Sequence, residues 1–71
     1  MHSMNNDLKT YDTDQLARAL GCSSRHIANM DADGLLPAPI RLGRLKRWPI
    51  SQIDNWMNAG SPSRKEWEAS Q

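Results

Sequence analysis

Apolar residues recur along this chain at two different spacings. Leu16, Ala17 and Leu20 form a stripe at three- and four-residue intervals, the pattern of a helix with one buried face. Asp12 stands before that stripe as an N-cap, with Gln15 at capping-box spacing. Tyr11 and Leu16 occupy the two positions of a hydrophobic staple, and Gly21 supplies a stop. These signals predict helix 1 over 13–20. The same grammar repeats at once. Ser23 is an N-cap, Cys22 and Ile27 are placed as its staple, Ile27 and Met30 face inward, and Gly34 closes the segment. Helix 2 is therefore predicted over 24–32. Asp31 and Asp33 oppose the helix dipole there, which predicts fraying after Asp31. Gly21-Cys22-Ser23 leaves only a tight turn between the two helices.

Past Gly34 the spacing changes to two. Pro37 and Pro39 exclude a helix interior. Ile40, Arg41 and Leu42 then alternate, and Trp48 follows Gly43. Two short strands are predicted over 39–42 and 45–48, turning near Gly43-Arg44. A two-residue turn would pair Leu42 with Leu45, and a three-residue turn would pair Ile40 with Trp48. The second is preferred, because it gathers Ile40, Leu42 and Trp48 on one inner face and leaves Arg41 and Arg47 outside. Helical spacing returns with Ile53, Trp56 and Met57. Ser51 and Asp54 form a capping-box pair before them and Gly60 an end. That predicts helix 3 over 51–58. Ser63 with Glu66 is one more start signal. A helix there is too short to stand alone and requires Trp67 to dock.

Helix, turn, helix, hairpin, helix is mainly α with a small β-hairpin, a winged helix-turn-helix arrangement. The expected organisation is a flexible N-terminal tail over 1–10, a domain over 11–59, and a C-terminal tail with a short helix over 60–71. At 71 residues a domain buries only about 60% of its unfolded surface. With no Phe, Trp48, Trp56, Trp67 and Tyr11 must supply the core's bulk. A single cysteine forms no internal disulfide, in keeping with a reducing compartment. No apolar run approaches the roughly 20 residues of a membrane span. The opening "MHSMNND" lacks the features of a secretory signal. A cytoplasmic protein is expected.

The formal net charge of +1 hides a segregation. Lys9, Arg18 and Arg25 face Asp7, Asp12, Asp14, Asp31 and Asp33 in residues 1–34, a net of −2. Residues 35–50 hold Arg41, Arg44, Lys46 and Arg47 and no acid, a net of +4. Charge acts over a Debye length of about 10 Å, so the local excess is what a polyanion meets.

From "QLARALG" through "SSR", "GLLPAPIRLGRLKRW" and "SQIDNWM", the chain resembles the excisionase-like and AlpA-type helix-turn-helix domains, relatives of the MerR winged-helix fold. The resemblance covers about two-thirds of the chain. It implies that helix 2 enters the major groove, presenting Ser24, Arg25, Ala28 and Asn29. It also implies that the hairpin wing, with Arg41, Arg44, Lys46 and Arg47, tracks the backbone or the minor groove. The function implied is that of a small sequence-specific binder of double-stranded DNA, a recombination directionality factor or a transcriptional regulator. Its protein partner would be an integrase, another recombinase or RNA polymerase. Cooperative self-association on DNA is expected as well, through the tail or the exposed face of helix 3.

The residue chemistry is compatible with this. Arg25 suits a bidentate contact to guanine, worth about 1–3 kcal/mol of discrimination; a phosphate contact or an ion pair with Asp14 is the plainer reading. Asn29 suits adenine. Ser23 is first a cap, and a cap at a helix N-terminus also faces an anion well. His26 could donate to a phosphate, but is expected to be partly buried. Arg44, at the hairpin tip, is the candidate for groove insertion. Arg41, Lys46 and Arg47 suit phosphates. Cys22 and His26 at CxxxH spacing are two ligands where structural zinc takes four. No metal, cofactor or catalytic residue is assigned. The alternative function is a protein-interaction adaptor, whose basic wing docks an acidic partner while Trp67 and the tail anchor it.

Overall fold

Local hydrogen bonds set the ends of the first two helices. The computed structural model describes residues 8–71. Helix α1 spans Thr13–Leu20. Its capping box is complete: Gln15 N–H donates to Asp12 Oδ1 at 2.8 Å, and Asp12 N–H to Gln15 Oε1 at 2.9 Å. At the other end Cys22 N–H donates to the Ala17 carbonyl at 2.9 Å, and Gly21 N–H to that of Arg18 at 3.3 Å. This is a Schellman closure, and it needs a left-handed residue; Gly21, at φ 75°, adopts that conformation at little steric cost. Helix α2 spans Ser24–Ala32, capped by Ser23 Oγ, which accepts from His26 N–H at 3.0 Å. It closes in the same way, with Leu35 N–H on the Met30 carbonyl at 2.8 Å and Gly34 N–H on that of Asp31 at 3.2 Å.

The fraying expected after Asp31 does not occur, because two cations neutralise that carboxylate. Lys46 Nζ lies 2.8 Å from Asp31 Oδ2, and Arg64 Nη2 lies 2.7 Å from Oδ1. Partial burial alone would raise the carboxyl's pKa. The hydrogen bonds and charges of Lys46 and Arg64 outweigh it and hold the pKa below the ordinary aspartate value.

Strands β2 (Ile40–Leu42) and β3 (Leu45–Pro49) form the predicted hairpin, but in the other register. Leu42 pairs with Leu45, Arg41 with Lys46 and Ile40 with Arg47. The turn is the two-residue Gly43-Arg44, with Gly43 at φ 66°, and glycine in the first central position favours such a turn. Shifting the register changes which side chains share a face. Trp48 is buried, and Lys46, two residues before it, turns to the same side and reaches Asp31. Ile40, Leu42 and Leu45 are left exposed. The expected inner face of Ile40, Leu42 and Trp48 is therefore corrected to Trp48 alone.

A third strand, β1 (Thr10–Tyr11), pairs antiparallel with β3, Thr10 opposite Pro49 and Tyr11 opposite Trp48, giving the sheet order β1-β3-β2. Thr10 thus belongs to the sheet and not to a tail, and Lys9 before it is tied to Ile50; residues 1–7 of the expected tail lie outside the described residues. Helix α3 (Ile50–Asn58) starts directly at the end of β3. Ser51 is not its cap. The Ile50 N–H is already satisfied by the Lys9 carbonyl at 3.0 Å, so the helix begins at Ile50, after Pro49. Met57, expected inside, is exposed.

Helix α4 (Arg64–Ala69) has the predicted Ser63–Glu66 capping box, and Trp67 docks. It joins Leu16, Ala17, Ile27, Leu36, Trp48, Ile53 and Trp56 in one core. Arg64 N–H donates to the Gly34 carbonyl and Arg64 Nε to that of Leu36, both at 2.9 Å. The indole N–H groups are also placed, Trp48 on the Pro37 carbonyl at 3.0 Å and Trp56 on that of Pro62 at 2.8 Å. The result is a mixed fold, half helical among the described residues, with a small three-stranded antiparallel sheet. No helix of the described residues is long and apolar enough to cross a membrane.

Two outcomes follow for stability. Trp67→Ala should cost about 3 kcal/mol in urea unfolding, since α4 has little else to bury; a loss below 0.5 kcal/mol, about the size of a neutral surface change, would mean that the helix does not pack. Asp31 has a lowered folded-state pKa, so its contribution is present above the ordinary carboxylate value of about 3.9 and is lost as pH falls through the lower folded value. Asp31→Asn should therefore cost about 1–2 kcal/mol at pH 7, and its urea midpoint should converge on that of the parent chain at strongly acid pH.

Candidate nucleic-acid interface

Helix α2 buries Ile27 and turns its other side to solvent. Arg25, Ala28 and Asn29 are exposed at three- and four-residue intervals, so they share one helical face. His26 is exposed too, which corrects the expectation of partial burial. Ser23 is exposed at the cap, and Ser24 is half-buried. The Ser24 hydroxyl donates to Asp14 of α1. Asp14 is engaged there, and Arg25 forms no ion pair with it. The carboxylate beside the α2 N-terminus also complements the partial positive charge of that helix end.

The four hairpin cations do not share one environment. Arg41 and Arg44 are exposed. Arg47 is half-buried and donates from Nη1 to the Lys46 carbonyl at 2.8 Å. The Lys46 ammonium is held by Asp31, so it ties the hairpin to α2 and meets an anion less freely than its neighbours. Arg64, on α4, also turns inward to Asp31. These two are the only ion pairs among the described residues.

Two open grooves connect the hairpin to α2. One, of about 320 Å³, runs between Arg44, Leu45, Lys46 and Arg47 and the start of α1 at Asp12, Thr13 and Asp14. The other, of about 420 Å³, runs between Asp14, Ala17 and Arg18 and the segment Cys22, Ser23 and Ser24. Asp14 borders both, so the hairpin cations, the start of α1 and the capped end of α2 lie along one surface. Its middle is acidic and its ends are not. Asp12 and Asp14 lie in the middle, with the hairpin cations at one end and the α2 N-terminus, where Asp14 accepts from Ser24, at the other.

Arg18 is a member of this surface that sequence reasoning passed over. It lies in the last turn of α1, exposed, against the α2 cap. Its spacing marks it only as a solvated helix position; the crossing of α1 and α2 brings it to the cap. Ser23, Ser24, Arg25, His26, Ala28 and Asn29 come together at α2, and Arg41, Arg44 and Arg47 at the hairpin. Among the described residues no three His, Cys, Asp or Glu side chains are grouped to hold a metal ion.

Comparison with protein-family models, with curated proteins and with solved structures finds no match to this chain.

The different surroundings of Arg44 and Lys46 are separable by experiment. Lys46→Ala should cost about 1 kcal/mol in urea unfolding, because it frees one side of Asp31. Arg44→Ala should stay within about 0.5 kcal/mol of the parent chain. Equal losses would mean that the Lys46–Asp31 contact contributes nothing.

Proposed function

We propose that this chain is a small sequence-specific DNA-binding protein of winged helix-turn-helix architecture, acting in recombination directionality or transcriptional regulation. In this reading α2 lies in the major groove, with Arg25 and Asn29 toward base edges. The β2–β3 hairpin is the wing and sits on the adjacent backbone or minor groove. Double-stranded DNA is the partner, and an integrase, a recombinase or RNA polymerase responds to the bound site.

The observation that carries the proposal is the shared surface. The acid-free hairpin segment and the N-terminus of α2 border consecutive grooves that meet at Asp14. Lys46 braces the two elements through Asp31, so the spacing between wing and helix is set before DNA arrives. That preorganisation reduces the ordering cost of binding. The alternative, an adaptor anchored by its tail, has less support, because Trp67 is buried in the chain's own core.

Salt dependence tests the phosphate clamp. Counting all four wing cations with others predicts five or six contacts and a slope of log K against log salt of about −5. With Lys46 engaged internally and Arg25 toward base edges, Arg41, Arg44 and Arg47 remain for phosphates, and the expected slope in a gel-shift titration is about −3. Arg44→Ala should weaken binding to all sequences and reduce that slope by about 1, whereas Arg25→Ala should relax site preference. Selection from random duplexes should enrich a site. No enrichment, with a slope near zero, would sink the proposal.

A further inference from the structure

The hairpin exposes what its strands would be expected to bury. Leu42 and Leu45 are each 51% exposed and Ile40 is 40% exposed. Leu42 and Leu45 are direct cross-strand partners, so their side chains stand on one face, roughly 5 Å apart. Ile40 and Arg47 continue that face one pair further from the turn. Single exposed apolar residues need no explanation, but a contiguous group marks a contact surface. On a short edge strand such a group also invites aggregation. Something is expected to cover it.

Its surroundings specify the chemistry of the cover. Arg44 is in the turn, Arg41 stands on the opposite face of β2, and Arg47 follows Leu45 on the same face. No acid occurs from 35 to 50. An anionic groove whose floor can part to admit apolar side chains fits this, and a duplex offers one. The minor groove is about 6 Å wide, phosphates line both its edges, and its base steps admit apolar side chains. We infer that the Leu42–Leu45 pair is an apolar wedge that enters the minor groove and opens a base step, with Arg41, Arg44 and Arg47 on the flanking phosphates. The inference rests on the DNA-binding reading and adds a mechanism to it. Proteins that insert such wedges partly unstack one step and kink the duplex by about 20–90°. Leu45 lines the groove that runs to the start of α1, so the wedge stands at the hairpin end of the surface already described.

The test uses the full chain and the duplex most enriched by selection, end-labelled for energy transfer and carrying 2-aminopurine at successive positions. The parent chain should shorten the end-to-end distance and brighten 2-aminopurine at one step. Leu42→Thr with Leu45→Thr removes the apolar tips and keeps strand propensity. It should retain the salt slope, lose no more than about tenfold in affinity, and abolish both the bend and the brightening. Leu42→Met with Leu45→Met should restore them. Binding by the parent chain without bend or brightening overturns the wedge and leaves the DNA-binding reading standing. A threonine variant that bends DNA like the parent does the same. If that variant instead converts a self-associated parent to a monomer with the bend unchanged, the face joins copies of this chain and the wedge is overturned. No binding by the parent chain to the enriched duplex or any other overturns both readings.

Discussion

Burial of the Trp48 indole sets which side of the hairpin faces in. Side chains alternate along a strand, so with Trp48 inside, Lys46 must point the same way and Leu45 must point out. The two-residue turn at Gly43-Arg44 then fixes β2 against β3, and Leu42 follows Leu45 to the outer face. An inward lysine needs an acid, and Asp31 meets it at 2.8 Å. The indole N–H needs an acceptor, and the Pro37 carbonyl provides it at 3.0 Å. One buried ring therefore dictates an internal ion pair, the path of the Pro37 loop and an apolar outer surface on the same hairpin.

Asp31 extends that constraint to the rest of the chain. It sits in the last turn of α2, where a carboxylate opposes the helix dipole, and it is tolerated because Lys46 and Arg64 converge on it. The two cations lie on β3 and α4, so one side chain joins three elements that share no local sequence. Arg64 also donates to the Leu36 carbonyl, which holds the loop after α2 against the start of α4. A domain of this size has few core residues, and the C-terminal segment adds one of the largest, Trp67, to a core that already holds Trp48 and Trp56.

The same arrangement shapes the proposed interface. Lys46 and Arg64 are used internally, and the cations left for an external anion are the arginines at the hairpin and at α2. Asp12 and Asp14 lie between the hairpin arginines and Arg18 at the α2 cap. Such a pattern favours a ligand whose charges are spaced apart, as phosphates across a groove are, over one dense anion.

The boundaries of α1 and α2, the closures after them and the capping box of α4 were all legible in the sequence. Caps and Schellman closures are made between residues within five positions of one another, so Asp12 and Gln15, or Ser63 and Glu66, carry their own instructions. The outward set on α2 came with the resemblance, as Ser24, Arg25, Ala28 and Asn29; the last three are exposed, and Ser24 is half-buried with its hydroxyl on Asp14. The hairpin register, the start of α3, the turn of Lys46 and Arg64 toward Asp31 and the exposure of His26 and Met57 were not legible. Each depends on a partner distant in the chain: Asp31 for Lys46 and Arg64, the Lys9 carbonyl for Ile50, the helix packing around His26 and Met57. Pattern and period put Trp48 inside in either register; how β2 lies against β3 across the Gly43-Arg44 turn, and so which way Ile40 and Leu42 face, was decided only in the folded hairpin, because it depends on pairing between strands and not on alternation within one.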